Sequence, residues 1–290
     1  MPRAFVAGAG GAVGEAVVHH LLSQGWNVIA SMRRPRPGVG ARLAAAGARV
    51  IIQDLDREAG WSVDAGVCDA WIFTTHLERT LRAMAHAGRL PPRIVAFSSN
   101  NVAVHPEAVT YRALAAAERA LRERAPHAAI VRPTLVYGDA RLPTVTRLLR
   151  LARWSPVLPL PGSGRARVQP VFADDLGRLA AGLAEISANG VFAAGGPEVL
   201  SMHAFFTAIA AAAGAMPAIV PMPNFVLRSA AWFPFLGFSK AQAERAERDR
   251  VAVQQALLPA QLAPQMGLRR GLLAHLATMQ AVSGRSPAHA

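Results

Sequence analysis

The stretch Gly8-Ala9-Gly10-Gly11-Ala12-Val13-Gly14 decides the fold of this chain of 290 residues. Its glycines have the spacing G-x-x-G-x-x-G, and it lies between a strand predicted at Arg3–Gly8 and a helix predicted at Gly11–Gln24. Glycine here allows a tight turn, a close approach of the backbone to a pyrophosphate and close packing of helix on strand. The helix N-terminus offers free N–H groups to phosphates. We therefore predict that the members of this stretch other than Ala9 bind a dinucleotide, namely Gly8, Gly10, Gly11, Ala12, Val13 and Gly14.

Short apolar runs alternate with helical patterns through the rest of the N-terminal half. Further strands are predicted at Trp26–Ser31, Arg49–Gln53, Asp69–Thr74, Arg93–Ser98, Ala128–Arg132 and Gly190–Ala194. Helices are predicted at Gly38–Ala46, Leu77–Gly88, Pro106–Arg124, Asp174–Ile186 and Ser201–Ala213. Strands without polar alternation, separated by helices, indicate a parallel sheet buried on both faces. The predicted fold class is α/β, a doubly wound parallel sheet with a smaller, mainly helical C-terminal region.

The sequence after Gly138 predicts a second region. Prolines and a turn cluster at Pro161–Gly164 indicate a connecting segment, and from Pro221 onward we expect helices. We assign residues 1–140 plus 165–196 to a cofactor-binding core, and 141–164 and 197–290 to a substrate-binding helical region. The aromatic segment Phe225–Phe238 suits a cavity lid, with a partner or membrane-surface patch as the alternative. The expected walls of the cavity are Trp154, Phe172, Phe225 and Trp232.

Composition excludes several classes of protein. With 52% hydrophobic and 17% charged residues the chain is not intrinsically disordered, and a single cysteine, Cys68, excludes a disulfide framework. The net charge of +13 comes almost entirely from arginine, since Lys240 is the only lysine. These arginines are scattered without interleaved aromatics, which favours a solvated basic surface over nucleic-acid binding. No metal site is expected, because His19-His20 has no acid at ligand spacing.

No targeting or transmembrane segment is apparent in the sequence. The run Ala4–Ala9 is too short for a signal peptide, and Phe225–Phe238 is shorter than the roughly 20 residues that span a bilayer. We expect a cytoplasmic protein that acts on a small-molecule substrate, and we leave a homodimer open.

The end of the second predicted strand distinguishes between two dinucleotides. A carboxylate there binds the ribose 2′-hydroxyl of NAD, whereas arginine accommodates the 2′-phosphate of NADP. Arg33 and Arg34 follow this strand, and no acid occurs until Asp54. Because guanidinium groups suit bidentate phosphate contacts, we predict NADP(H), with a chance pair of surface arginines as the alternative. Asp54 and Leu55 are placed to meet the adenine, although Asp54 also suits an ordinary turn.

Four stretches resemble the short-chain dehydrogenase/reductase superfamily, in its extended or atypical branch. They are the glycine stretch, Phe97-Ser98-Ser99-Asn100, Val131-Arg132-Pro133-Thr134-Leu135-Val136-Tyr137-Gly138 and Gln169-Pro170-Val171-Phe172-Ala173-Asp174-Asp175. The likeness covers nearly the whole chain. It is nearest to NAD(P)-dependent epimerase/dehydratase-like proteins and to the accessory subunit of respiratory complex I that keeps this fold. It implies a Rossmann fold, with Pro133 beside the nicotinamide.

The resemblance also implies a catalytic set, a Ser or Thr followed by Tyr-x-x-x-Lys on a helix. In the family the Tyr exchanges a proton with the substrate oxygen while hydride moves at the nicotinamide, and the Lys favours the tyrosinate and holds the ribose. Ser99 and Tyr111 match the first two positions, but the Lys position holds Ala115. Arg112 points about 100° round the helix and Arg119 lies about 12 Å along it. Neither is an obvious substitute, so we expect a non-standard site.

Residues after the fourth predicted strand are further candidates. Thr74 and Thr75 would contact the cofactor, because ligands bind at the carboxyl ends of the strands in such folds. His76 could replace the missing proton donor, since imidazole titrates near neutrality, although loop histidines are more often only solvated. Tyr111 could equally be an aromatic packed against the sheet.

Two functions therefore remain open. The first is an NADP(H)-dependent oxidoreductase or epimerase-like enzyme for a small carbonyl or hydroxyl substrate. The second is a catalytically weak or inactive NADP(H)-binding protein that serves as a redox sensor or assembly subunit. Likeness of fold cannot choose between them, because function resides in the site.

Overall fold

A computed structural model describes residues 1–57, 67–87, 89–223, 248–254 and 256–284. The strands are β1 Arg3–Ala7, β2 Asn27–Met32, β3 Arg49–Ile52, β4 Ala70–Phe73, β5 Arg93–Phe97, β6 Ala129–Pro133, β7 Leu135–Tyr137, β8 Val157–Pro161, β9 Arg167–Val168, β10 Pro170–Phe172, β11 Gly190–Ala194, β12 Leu200–Ser201 and β13 Ala218–Met222. The helices are α1 Ala12–Ser23, α2 Pro37–Ala45, α3 Leu77–Ala85, α4 Asn101–Val104, α5 Val109–Arg124, α6 Pro143–Trp154, α7 Ala173–Glu185, α8 Met202–Ala212 and α9 Leu268–Ser283.

The chain divides into two compact units. The first consists of Met1–Pro133, Ala173–Ala194 and Ala252–Pro264. The second consists of Thr134–Phe172, Gly195–Val251 and Gln265–Ala290.

The first unit is built on a seven-stranded sheet in the order β11-β6-β5-β4-β1-β2-β3, and all of its neighbouring strands run parallel. Strands β1, β4, β5 and β6 are buried along almost their whole length, as expected for apolar runs covered on both faces. Strand β1 lies between β2 and β4, so the direction in which the chain crosses the sheet reverses at this point. Ligands of doubly wound folds bind at the carboxyl ends of the strands beside such a reversal.

The core of this unit fixes those strand ends. Trp71 on β4 is fully buried and packs edge-to-face on Phe73, with 6.2 Å between ring centroids. Phe5, Leu121 and the small side chain of Cys68 belong to the same apolar cluster. Burial of each large side chain contributes about 1.5–3 kcal/mol, so the loops after β1, β4 and β5 extend from a rigid base.

The second unit combines helices with short strand pairs. Strands β7 and β10 pair in parallel, as do β8 and β13, whereas β9 and β12 pair antiparallel. Its core is formed by fully buried side chains from several elements, among them Tyr137, Leu149, Leu158, Phe205 and Leu272.

The structure confirms the predicted fold class and the predicted strands and helices of the first unit, with ends that differ by up to three residues. It shows that two predictions for the second unit are wrong. The proline-rich region that begins at Pro143, predicted to be a connecting segment, contains α6 and β8, because Pro143 is the first residue of a helix, where its missing N–H has no cost. The chain from Pro221 onward is not helical throughout, since Pro221 and Met222 end strand β13 and only α9 is a long helix there among the described residues.

Candidate active site

The glycine stretch forms a tight turn between β1 and α1. Gly8 has φ +83°, and the N–H groups of Gly8 and Ala9 donate to the Ser31 carbonyl at 3.1 and 3.0 Å. The N–H of Gly11 returns to the Gly8 carbonyl at 2.9 Å. A Cβ on Gly14 would lie 2.2 Å from the Gly8 oxygen, so this position requires glycine. The turn thereby brings the start of α1 against the end of β1.

The start of α1 offers N–H groups to an anion. The first intrahelical bond runs from the Glu15 N–H to the Gly11 carbonyl, so the N–H groups of Ala12, Val13 and Gly14 precede the regular helical ladder. No side chain in the described parts of the chain caps this helix. Together with the dipole of the helix, these groups suit a phosphate.

Two threonines after β4 complete the turn. The Thr74 hydroxyl lies within donating distance of the Ala7 carbonyl at 3.0 Å and of the Gly8 carbonyl at 3.2 Å. The Thr75 Oγ1 is buried and has no hydrogen-bond partner among the described residues. A Cβ on Gly8 would lie only 3.0 Å from the Thr75 methyl group. Because a buried hydroxyl without a partner is costly, this atom fits a site completed by a bound group.

Arginines cluster after β2. Arg33 and Arg34 are exposed, and no carboxylate among the described residues pairs with them. Arg36, which the sequence analysis did not select, donates from Nη1 to the Gly10 carbonyl at 3.1 Å. Arg42 is neutralised by Glu15, with Nε at 2.8 Å from the carboxylate. Three arginines thus remain near the turn without an acidic partner, which suits a ligand with several phosphates.

The residues after β3 differ in environment. The Asp54 carboxylate accepts the Asp56 N–H at 3.1 Å, which is the arrangement of an ordinary turn acid. Leu55 is 7% exposed and belongs to the apolar core of the first unit. Gln53, which was not predicted as a site residue, is buried, and its side-chain Oε1 and Nε2 have no hydrogen-bond partner among the described residues. Its amide is therefore available to a polar ligand at the end of β3.

Asn101 connects two of the three predicted catalytic residues, Ser99 and Tyr111. Its Nδ2 donates to the Tyr111 hydroxyl oxygen at 2.9 Å, and its backbone N–H donates to the Ser99 Oγ at 3.2 Å. The His105 ring stacks on the Tyr111 ring at 6.3 Å between centroids. Ser99, Asn101 and Tyr111 therefore form one cluster after β5, although the sequence analysis selected only Ser99 and Tyr111.

No described cation takes the place of the missing lysine. Ala115 is half-buried, and both Arg112 and Arg119 are exposed on the surface of α5. The buried Arg132 is held by the Glu118 carboxylate, with Nε–Oε1 at 2.9 Å and Nη2–Oε2 at 2.5 Å. The departure from the family pattern is therefore a feature of the folded chain as well as of its sequence.

Glu118 and Arg132 belong to a buried polar network. The Ser98 hydroxyl donates to the same carboxylate at 2.5 Å, and both charged side chains are less than a tenth exposed. The network ties α5 to the ends of β5 and β6. Removal of one partner would leave a buried charge unpaired, so the network holds α5 firmly at the carboxyl ends of β5 and β6.

His76 and Pro133, the two remaining predicted residues at the carboxyl ends of the strands, differ in their contacts. His76 is exposed at the start of α3, and no described contact links it to Ser99 or Tyr111. Pro133 ends β6 and accepts the N–H of Asn100 at 3.0 Å. Asn100 is itself buried, and its Oδ1 accepts the Val253 N–H at 3.1 Å.

In the second unit the Tyr-Gly stretch is anchored by a buried histidine. The Gly138 N–H donates to His275 Nδ1 at 3.0 Å, so Nε2 carries the proton and faces the Thr146 hydroxyl at 2.8 Å. Burial lowers the pKa of His275 to about 4, although Asp139 opposes the shift. Burial would raise the pKa of Asp139, but hydrogen bonds from Arg141 outweigh it and lower this pKa.

Three other predictions concern acids, metals and aromatics. Asp174 at the start of α7 bonds His20 at 3.1 Å, and this contact lowers the pKa of Asp174. The partner of His20 is thus an acid 154 residues away in the sequence, and the described residues contain no cluster that could hold a metal. Of the expected cavity walls, Trp154 is 77% exposed, which does not fit a wall, and Phe172 packs on Tyr137. Phe225 and Trp232 lie outside the described residues.

No family model and no curated protein matches this chain. Solved structures match at nearly full length. A UDP-glucose 4-epimerase from Stenotrophomonas maltophila, solved with NAD and formylated UDP-arabinopyranose, has a TM-score of 0.75 at 14% identity, covering 98% of this chain and 99% of that one. A nucleoside-diphosphate-sugar epimerase from Pseudomonas aeruginosa has a TM-score of 0.71 at 19% identity, covering 98% and 99%.

A third structure, a dTDP-glucose 4,6-dehydratase from Bacillus anthracis in complex with NAD, has a TM-score of 0.71 at 12% identity, covering 97% of both chains. The chain therefore has the fold of NAD-dependent epimerases and dehydratases, which confirms the fold that the motifs imply. Among the described residues, no helix combines the length and the apolar character needed to cross a membrane.

Proposed function

We propose that the chain binds NADP(H) and acts as an oxidoreductase or epimerase-like enzyme on a small carbonyl or hydroxyl substrate. The observation that carries this proposal is the contact between Asn101 and Tyr111. It holds a tyrosine hydroxyl in a defined position, at 2.9 Å from the amide nitrogen, in the loop and helix that follow β5. Thr75 follows β4, which neighbours β5 in the sheet, and the glycine turn follows β1, which neighbours β4.

The residues at the carboxyl ends of these strands fit a dinucleotide. Gly8, Gly11 and Gly14 form the turn, while Gly10, Ala12 and Val13 extend it into α1. Thr74 supports the turn, and the partnerless Thr75 hydroxyl would gain a phosphate oxygen or ribose hydroxyl as its acceptor. The phosphates would bind the N–H groups of α1.

The choice of NADP(H) rests on the end of β2. Arg33 and Arg34 are exposed and lack acidic partners among the described residues, so a 2′-phosphate would neutralise them. Gln53 and Asp54 would meet the adenine or its ribose, whereas the buried Leu55 would contribute only a backbone contact. Pro133 would border the nicotinamide. Two of the structures with this fold, the epimerase from Stenotrophomonas maltophila and the dehydratase from Bacillus anthracis, were solved with NAD, which supports a nicotinamide dinucleotide in general.

The chemistry assigned to the chain is the transfer of one proton. A bound nicotinamide would supply or accept the hydride. Asn101 donates to the Tyr111 oxygen, and the phenolic proton would be transferred to a substrate carbonyl oxygen. Ser99 would donate a second hydrogen bond to that oxygen. Tyr111 would give up its proton when a carbonyl is reduced and take one back when a hydroxyl is oxidised.

A weak or inactive NADP(H)-binding protein is the second candidate. The observation that favours it is Ala115, where the family lysine would also hold the nicotinamide ribose. Such a protein would act as a redox sensor or assembly subunit.

The proposal also includes the division into a cofactor part, 1–140 plus 165–196, and a substrate part, 141–164 and 197–290, together with a cytoplasmic location.

Removal of the Tyr111 hydroxyl tests the proposal. Tyr111→Phe should lower turnover of a panel of carbonyl compounds by roughly 10²–10⁴-fold without changing NADPH affinity. Tyr137→Phe is a matched control, because Tyr137 is the other tyrosine and is fully buried in the core of the second unit. Ala115→Lys should raise turnover near neutral pH by restoring a cation one helical turn from Tyr111.

The two candidates predict different results. The binder would show background turnover in wild type and in every variant while it still binds NADPH. If wild type turns over and Tyr111→Phe does so equally well, the proton comes from elsewhere. His76→Gln is then the next variant to measure.

A further inference from the structure

Helix α6 of the second unit presents an unusual set of side chains to solvent. Val145 and Leu149 on one side are fully buried in the core of this unit. At 100° per residue, Arg147, Arg150 and Trp154 lie within about 60° of arc on the opposite side. All three are exposed. The outer face of α6 is therefore basic and ends in an aromatic residue.

The arginines of this helix have no counter-charge. The segment Pro143–Trp154 contains Arg147, Arg150 and Arg153 and no acidic residue. No carboxylate in the described parts of the chain forms an ion pair with any of them. Several other arginines of the chain are paired with Asp or Glu, among them Arg42, Arg79, Arg82, Arg132 and Arg167. The charge of α6 is thus available to an anionic partner.

Exposed apolar side chains lie at the end of the same helix. Trp154 is 77% exposed and Met216 is 100% exposed. Both line a groove of about 290 Å³ together with Arg153, Pro156 and Pro217. Val157, which follows Pro156, is 41% exposed. Large apolar side chains grouped at the surface indicate a contact with another apolar phase or partner.

We propose that this surface docks on membranes that contain anionic phospholipids. The α6 surface, as we define it, consists of Arg147, Arg150, Arg153, Trp154, Val157 and Met216. Arginine binds phosphate well, and tryptophan settles at the level of the lipid headgroups. Because the apolar side of α6 is already buried in the protein, the helix would lie on the headgroups and only Trp154 and Met216 would reach the acyl boundary.

The combination of charge and apolar groups favours lipid over nucleic acid. Nucleic-acid surfaces combine arginine with several aromatic platforms on which bases stack. The α6 surface has one aromatic residue, and its other exposed apolar groups, Met216 and Val157, are aliphatic. Such groups suit the boundary between headgroups and acyl chains. The proposal is independent of the activity assigned to the first unit.

Vesicle sedimentation of the full chain tests the proposal. We expect binding to phosphatidylcholine vesicles that contain phosphatidylserine, and none to vesicles of phosphatidylcholine alone. Each arginine should contribute roughly five-fold, so R147E/R150E should weaken binding by roughly 25-fold or more. R119E/R122E is the matched control, because it makes the same change in charge at exposed positions of α5. R147Q/R150Q gives a milder variant, and NADPH binding checks that each variant is folded.

Three outcomes would overturn the proposal. The first is a lack of preference for phosphatidylserine vesicles in wild type. The second is an equal loss of binding in R147E/R150E and R119E/R122E, which would show that the net charge of the protein alone determines vesicle binding. The third is binding of a duplex oligonucleotide that requires Arg147 and Arg150 while vesicles stay unbound. In support, brominated lipids should quench tryptophan fluorescence in wild type and lose most of this effect in Trp154→Ala.

Discussion

Gly14→Ala is the change that most directly tests how the glycine turn works. A Cβ at this position would lie 2.2 Å from the Gly8 oxygen, 2.8 Å from the Gly8 carbonyl carbon and 2.9 Å from the Ala9 Cα. All three atoms belong to the backbone, so no side chain can rotate out of the way. Carbon atoms pack at about 3.5–4.0 Å, so α1 must move from β1 by about 1 Å.

Overpacking of this kind costs about 1–3 kcal/mol of unfolding free energy. Since each kcal/mol lowers the melting temperature of a domain of this size by about 2–4 °C, we expect a decrease of about 2–12 °C. The same movement displaces the N–H groups of α1 from the turn. NADPH affinity should therefore fall by roughly tenfold or more, which corresponds to about 1.4 kcal/mol.

Thermal unfolding and calorimetric titration with NADPH measure the two effects. Gly38→Ala is the control, because a Cβ there would meet, among the described residues, only the flexible Arg42 Nη1 at 3.9 Å. Alanine favours a helix by up to about 1 kcal/mol over glycine, so this variant should be as stable as wild type or slightly more stable. A Gly14→Ala protein with unchanged melting temperature and NADPH affinity would refute the reasoning.

Two further predictions concern buried charges. Between pH 6.5 and about 4 the unfolded chain binds a proton at His275 and the folded chain does not, because the pKa of His275 is about 4 in the folded state. The free energy of unfolding should therefore fall by about 3 kcal/mol as the pH is lowered through this range. Urea denaturation of His275→Gln should show a weaker dependence of this free energy on pH. A dependence equally steep in this variant would assign the loss to other groups. Glu118→Gln should cost about 3–5 kcal/mol by leaving Arg132 buried without a counter-ion, whereas Glu123→Gln on the exposed side of α5 should change unfolding free energy by less than about 0.5 kcal/mol. Equal melting temperatures of these two variants would contradict the role given to the buried pair.

The sequence was sufficient to predict the first unit because its signals are local. Apolar runs without alternation predict buried parallel strands, and the glycine spacing predicts the turn before α1. The prolines of 143–161 were misleading, since Pro143 begins a helix instead of ending one. The spacing of Val145, Leu149 and Ala152 on one face was a signal that could have identified α6.

Contacts between distant parts of the chain could not be read in this way. His275 anchors Gly138 across 137 residues of sequence, and no local pattern marks it. Asn101 was missed for a different reason, because an asparagine after a strand suits an ordinary turn equally well. Gln53 and Thr75 became candidates only when burial showed that their polar atoms lack partners in the described structure. Polar satisfaction is a property of the folded chain, so it completes the site that the motifs locate.

Calorimetric titration with NADPH and with NADH tests the central claim most directly. Two charge-assisted contacts from Arg33 and Arg34, at about 1.5–3 kcal/mol each, predict that wild type binds NADPH at least roughly tenfold more tightly than NADH. In the Arg33→Glu, Arg34→Glu double variant this preference should vanish while NADH still binds. Equal affinity of wild type for both nucleotides, or no binding of either, would contradict the account.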